Sequence, residues 1–369
     1  MTARGLLARP SRIVAGGFVR ARTRAWPRHS RLFAVGERTG WSVDEDARHF
    51  EVTARRLGYD VAPSSWASFA TAQSVFLTSH FEALRPRWLE SAHRLGTAYL
   101  HGRPGTEGYP EFDRAFEALR SAPERFSRIQ VTHGEMRDLV LGAGVEPASV
   151  HLIPIGIDLE NFPLATPERR SAARARFGVP TDAFVVGSFQ KDGVGWGEGL
   201  EPKLIKGPDV LVAALVAVRA AVPELHVLLT GPARGYVRRE LERAGIPYEH
   251  VRVGTREELG AVYHAVDVCL VPARQEGGPK SVLESMASGV PLVTTRVGQA
   301  TELVEDGSNG WLVDVEDAEG LADRAIAVHA GSTPRVFDNA RATAERYALE
   351  RLDTLWEALL GGFVERVAG

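Results

Sequence analysis

The sequence predicts an α/β protein of two domains, each a parallel sheet wound with helices, and three observations predict it. Short apolar runs alternate with stretches of helical spacing throughout the second half. The same alternation, less regular, fills the first half. A length of 369 residues leaves room for two cores at roughly 100–200 residues per domain. Uninterrupted apolar strands separated by helices mark a sheet buried on both faces, the doubly wound arrangement.

Residues 1–30 stand apart as a basic arm. Through Arg31 the chain holds eight arginines and no acid, while the rest carries 36 basic and 47 acidic residues, a net −11. With Leu6, Leu7, Ile13, Val14, Phe18, Val19 and Trp26 interspersed, the arm suits either an anionic membrane surface or a disordered extension. It lacks the apolar core and small-residue cleavage site of a secretory signal. Residues 31–165 form the first domain, with strand candidates at 31–36, 74–79, 97–102, 129–132 and 150–156 and a helix over 43–58. Three prolines and no strand pattern in 161–182 place a linker at 166–182. Residues 183–335 form the second domain. Its strands at 184–189, 225–231, 251–254, 267–272, 291–295 and 310–314 alternate with helices at 209–222, 236–245, 256–266 and 280–289. Residues 336–369 are helical with no strand after them, and are expected to cross back to the first domain. A cleft is expected between the domains.

Several chemistries are excluded. No apolar run is long enough to span a bilayer. The single cysteine, Cys269 in VDVCLVP, reads as a buried small hydrophobe. Without disulfides the expected setting is reducing and cytoplasmic, peripheral to the inner membrane face if the arm meets lipid. The acidic body argues against nucleic acid as a partner. Asp44, Glu45 and Asp46 superficially offer spaced carboxylates for a metal, but Ser42 and Glu45 form an S-x-x-E capping box at a helix start. No other cluster has metal-ligand spacing, so no metal is expected. A phosphate loop of the Walker type needs lysine directly after glycine, and the four lysines follow Gln190, Pro202, Ile205 and Pro279. In LLTGPARGYV, Gly231 and Gly235 do not complete a dinucleotide turn.

The lysines are the sharper signal. Of 44 basic residues only Lys191, Lys203, Lys206 and Lys280 are lysine. Three lie within FQKDGVGWGEGLEPKLIKGPDVL, and the fourth follows a glycine pair in EGGPKS. A compact charge on a flexible stem suits a phosphate oxygen. In DVCLVPARQEGGPKSVLESMASGVPLVTT (267–295) a buried strand ends at Pro272 and Gly277–Gly278 permit close backbone approach. Pro279 suits a first helical position and Gly289 a helix stop. The unpaired N–H groups at that helix start form an anion site at the carboxyl end of a parallel strand. Glu276 in the loop and Glu284 within the helix lie about 7 Å apart along the axis, a span that fits two ends of a sugar nucleotide. A glycosidase pair, aimed at a single bond, is not expected.

These residues resemble the retaining, GT-B-fold glycosyltransferases of family four, whose E-x7-E segment corresponds to Glu276 and Glu284. The resemblance extends over 129–330 and includes VHLIPIGIDLENF, with Gly156, Asp158 and Phe162, and IKGPDVLVAAL. It implies two Rossmann-like domains facing each other across a cleft. It also implies retaining, metal-independent transfer from a nucleoside-diphosphate sugar to an acceptor hydroxyl, with no cofactor beyond that co-substrate. By the resemblance, Lys206 meets the donor pyrophosphate, Glu276 the donor sugar and Glu284 the ribose. Gly277, Gly278, Pro279, Lys280 and Ser281 cover sugar and phosphates, and His101 in TAYLHG faces the transferred sugar. The chain departs from the family pattern at Ser188, where an arginine is usual, so that Lys191 or Lys203 is expected to supply the second charge. It also departs at Ile155, where asparagine is common, and in a short first domain. The acceptor is open among a glycan, a lipid-linked intermediate and a small metabolite. A nucleotide-sugar epimerase of the same fold and a non-catalytic nucleotide-sugar-binding protein are the alternative readings.

Overall fold

Strand side chains alternate between two faces, and this chain uses both faces of both its sheets. The computed structural model describes residues 17–37, 42–331 and 336–366. The chain divides into a first unit, Met1–Ile153 with Leu352–Gly369, and a second, Pro154–Arg351.

In the first unit β1 (Leu32–Val35), β2 (Ser74–Leu77), β3 (Arg94–Ala98), β4 (Phe126–Val131) and β5 (Val150–Leu152) pair in parallel, in that spatial order. Phe33, Val75, Leu95 and Ile129 face one core, with Leu119 and Met136. Leu32, Ala34, Phe76 and Ala98 face another, with Phe50 of the helix Ser42–Arg56 and Trp356, Leu359 and Leu360 of the helix Asp353–Leu360. The late segment is also hydrogen-bonded there: Ser74 donates its hydroxyl to the Phe363 carbonyl, and Arg128 Nε donates to Leu359 O at 2.8 Å. Crossing back therefore begins at Leu352. The helix Val336–Arg346, expected to cross as well, stays in the second unit because Ala340 and Ala344 pack into its core.

The basic arm joins the first unit from residue 17. Residues 17–23 are helical, Val19 and Thr23 are buried, and Trp26 stacks on Trp66 with ring centroids 6.1 Å apart. The disordered extension does not hold for this part, and residues 1–16 lie outside the described residues. The capping role expected of Ser42 likewise falls on a side chain outside those described.

The second unit holds β6 (Phe184–Phe189), β7 (Leu225–Thr230), β8 (Tyr248–His250), β9 (Val268–Val271), β10 (Leu292–Thr295) and β11 (Trp311–Val313). Their order is β11-β10-β9-β6-β7-β8, all parallel. Val186, Val227, Leu229, Val268 and Leu270 pack on one side against the helices Pro208–Ala221 and Ala318–His329. Val185, Leu228, Cys269 and Leu292 pack on the other against Arg256–Tyr263 and Lys280–Ser288. Burial pushes the Cys269 thiol up to about 12, so it is inert at neutral pH.

Two expectations are corrected here. The linker at 166–182 is a helix, Pro167–Phe177, opened by the Thr166 hydroxyl accepting from the Arg169 N–H at 3.2 Å and closed at Gly178 in the left-handed region. Buried Arg174 ties it down, donating to the carbonyls of Pro180, Thr181, Ala183 and Ala265 and pairing with Asp267 at 2.7 Å. The strand expected at 251–254 is Tyr248–His250 instead, in register with Val227–Leu229. No described helix is long and apolar enough to cross a membrane.

Candidate functional site

The order of the second sheet locates a site. The chain winds outward from β6 through β7 to β8, then returns to the other side of β6 and winds through β9 to β11. At such a reversal the loops leaving two neighbouring strands diverge to opposite faces and open a crevice at their carboxyl ends. Here the strands are β6 and β9. Their exit loops carry the lysine segment and Glu276.

The two loops are stitched together. Arg274 and Gln275 donate backbone N–H groups to the Ile205 carbonyl at 2.8 and 3.0 Å, and Arg274 Nη1 donates to Leu204 O at 2.8 Å. The Arg274 guanidinium also takes both oxygens of Asp209 at 2.7 Å, the two-pronged geometry that arginine provides. Gly207 closes the Lys206 turn at φ +65°, where an added Cβ would lie 1.9 Å from the Pro272 carbonyl oxygen. Gly207→Ala therefore meets both a left-handed backbone, costing about 1–2 kcal/mol, and a backbone clash. It is expected to lower the melting temperature and abolish nucleotide-induced stabilisation, both read in one thermal melt. An unchanged melt would contradict the close approach.

Within the crevice Lys206 and Glu276 form an ion pair, each side chain about one-fifth exposed or less. Gln190 holds the Lys206 carbonyl through its amide at 2.9 Å. Lys203 donates its N–H to Asp192 O at 2.8 Å and accepts that of Lys206 at 2.8 Å. Lys191 donates its ammonium to Gly193 O at 2.8 Å and lies 4.9 Å from the centre of the exposed Trp196 ring. Burial lowers the Lys191 pKa and the charge of Lys206 lowers it further, with Asp192 opposing both. Lys191 is joined to Lys206 through its neighbour Gln190, whose amide holds the Lys206 carbonyl.

The helix Lys280–Ser288 begins where expected, with Pro279 as the residue before its first turn rather than its first helical position. It is buried from Ser281 to Ser288, more completely than an inward stripe of Val282, Leu283 and Met286 implies. An added Cβ at Gly278 would meet Gln299 Oε1 and Ile155 Cδ1 at 2.8 Å, so that backbone approach depends on glycine. Glu284, 3% exposed, accepts from the Tyr263 hydroxyl at 2.9 Å and pairs with Arg256, whose guanidinium lies 4.9 Å from the Phe162 ring centre. Glu276 and Glu284 are thus held by separate cations.

His101 belongs to the first unit, three residues beyond β3. It is half-buried among Phe81, Phe112 and His80, with ring centroids at about 6 Å. His80 is buried against Tyr99, and burial drives its pKa well below the ordinary histidine range. Sequence reasoning missed Arg234, Arg256, Tyr263 and Arg274. Arg234 lies in a turn between Gly231 and Gly235, where Ala233 takes φ +55°. Two cavities of the second unit contain none of the crevice residues. One, about 450 Å³, is lined by Arg170, Asp267 and His329; the other, about 510 Å³, by Arg296, Asp314 and Asp323. The crevice draws its claim from convergent charge at a sheet reversal.

The chain is similar to known proteins in sequence and in fold. Residues 198–330 match the family model described as glycosyl transferases group 1. The chain is 33% identical over 231 residues to the D-inositol 3-phosphate glycosyltransferase of Xylanimonas cellulosilytica, covering 58% of this chain and 52% of that protein. With its counterpart from Corynebacterium jeikeium it shares 27% over 248 residues, 64% of this chain and 57% of that one. The chain thus spans little more than half the length of the curated relatives it matches. Among solved structures, HepE of Anabaena in complex with UDP and glucose superposes with a TM-score of 0.72 at 16% identity, over 90% of this chain and 100% of that one. Sucrose-phosphate synthase of Thermosynechococcus elongatus does so at 0.67 and 18%, over 90% and 98%.

Proposed function

We propose that this chain, which belongs to the glycosyl transferases group 1 family and has the GT-B fold, transfers a sugar from a nucleoside diphosphate to an acceptor hydroxyl with retention at the anomeric carbon and without a metal ion. One observation carries the reading: at the reversal between β6 and β9, Lys206 meets Glu276 beside the helix start at Pro279–Lys280. Cations and helix N–H groups there oppose the charge that gathers on a departing diphosphate, and such stabilisation grows as the bond breaks. Glu276, released from Lys206 by the phosphates, is free to accept from sugar hydroxyls. Glu284 is the ribose acceptor, Gly277, Gly278 and Ser281 line the donor, and His101 serves the transferred sugar. The bond between the anomeric carbon and phosphate oxygen breaks, a bond to the acceptor oxygen forms on the same face, and the acceptor proton passes to the leaving phosphate.

The test is a thermal-shift panel of UDP, GDP, ADP, TDP and CMP with and without EDTA, followed by product analysis. UDP heads the panel because the Anabaena protein of the same fold was solved with it. A ligand at 100 times its Kd stabilises by about 2.7 kcal/mol. One diphosphate should shift the melt regardless of EDTA, and diphosphate release should depend on acceptor. Release without acceptor, or sugar isomerisation alone, would favour an epimerase. An inverted anomer would exclude the same-face route.

A further inference from the structure

Arg234 is 1% exposed, and its guanidinium ends at the lysine loop. Nη1 donates to the carbonyls of Ser188 at 2.7 Å, Gln190 at 2.9 Å and Thr230 at 2.9 Å, and Nη2 donates to the Ser188 hydroxyl at 3.1 Å. Nε faces Asp192 Oδ1 at 3.0 Å, with both groups fully buried. The contact is ionic: its angle is not that of a hydrogen bond, and neither Asp192 oxygen has a hydrogen-bond partner. A buried charge pair so incompletely satisfied is a poor source of stability. Its placement is specific. Gln190 and Asp192 are the two neighbours of Lys191, so one guanidinium holds the chain on both sides of that lysine. From Asp192 the bonds run on to Lys203 and Lys206, and Gln190 closes the circuit on the Lys206 carbonyl.

The hairpin beyond is anchored to the same turn. Val194 donates to Glu201 O at 2.9 Å, while Gly235 and Tyr236 donate to Glu198 O at 2.7 Å and Gly199 O at 2.8 Å. An added Cβ at Gly199 would lie 2.2 Å from Ala233 O, and one at Gly193 2.3 Å from the same atom. The lysine loop and the Arg234 turn therefore fit each other closely along their length.

We propose that Arg234 and Asp192 are positioning residues that aim Lys191, beside Lys206, at the leaving diphosphate. The inference rests on the glycosyl-transfer reading and adds to it the device that replaces an arginine on the loop itself. The charged groups around Lys191 are Lys206, Asp192 and, through their ion pairs, Glu276 and Arg234. Asp192 acts on Lys191 in two ways, through the backbone and through its charge, and the second has its own signature.

Lys191 holds an anion only while protonated. Its charge is present at low pH and lost as pH rises through its depressed pKa. Above about pH 7 the terminal phosphate is fully ionised, so an alkaline fall in affinity reports the protein. Asp192→Asn keeps the shape and removes the charge that raises the Lys191 pKa. Calorimetric titration of the full chain with UDP, or whichever diphosphate of the panel binds, from pH 7 to 10 should show about tenfold weaker binding in this variant. The alkaline fall should also move to lower pH. Lys191→Met, at a half-exposed site that tolerates it, should weaken binding by a similar factor and remove the fall. The double variant should be no weaker than either single one. A folded Asp192→Asn with wild-type affinity and an unmoved fall overturns the inference, as does wild-type affinity in Lys191→Met, which remains decisive if Asp192→Asn does not fold. A wild type that binds no diphosphate overturns the glycosyl-transfer reading and this inference with it.

Discussion

Lys206→Ala is expected to lower kcat/KM for glycosyl transfer by about 10²–10³, the cost of removing one preorganised charge from a developing anion. The loss should fall on kcat more than on KM, because the leaving phosphate carries more charge in the transition state than in the bound donor. Two effects add. The variant loses a cation, and it leaves the Glu276 carboxylate unpaired where the diphosphate must sit. Little stability should be lost, since the pair is partly exposed and Glu276 can rehydrate. The check is steady-state kinetics with a thermal melt of the same sample. Activity within threefold of wild type would remove Lys206 from the chemistry.

Arg174→Met should be the most damaging substitution for stability, at about 3–5 kcal/mol in urea unfolding. Arg174 is 3% exposed and serves four carbonyls besides Asp267. Asp267 in turn accepts the Val185 N–H at 2.7 Å and pairs with Arg170, so the network ties the helix Pro167–Phe177 to the starts of β6 and β9. Methionine fills the volume but leaves the carbonyls and carboxylate without donors. Arg174→Lys keeps the charge without the fork, and should recover only part of the loss. A cost below 1 kcal/mol for the methionine variant would mean that desolvation cancels the network in the wild type.

Helix 167–177 and Arg174 also show where the sequence stopped being legible. Strands such as 184–189 and 225–230 declare themselves because both faces of the sheet are buried and most positions are apolar. The helix PERRSAARARF has no apolar stripe, only Ala173 and Phe177 in the core, and is held by a buried arginine instead. Periodicity cannot report a polar anchor. β8, Tyr248–His250, is half-buried, and the more apolar residues after it drew the expectation away. At the site, Lys206, Glu276, Gly278 and Glu284 were visible because glycine spacing and a strand-to-helix transition are local patterns. Arg234 and Asp192 were not, since 42 residues and a whole helix separate them and only the adjacency of β6 and β7 joins them. The return of residues 352–366 was expected from helices with no strand after them; its start was not, because Ala340 and Ala344 are as apolar as the residues that cross.

That return sets an order of events as the chain is made. The second unit has all its strands once residue 313 has been synthesised, and its last helix by Arg346. The first unit, begun earlier, lacks until the end Trp356, Leu359, Leu360 and Phe363, which close one face of its sheet over Phe50 and Phe76. Its earliest strands must therefore wait on the ribosome with that face only partly covered while some two hundred residues are added, roughly 10–40 seconds at about 5–20 residues per second. The half of the protein that is born first is finished last, and that interval is when it most needs a chaperone.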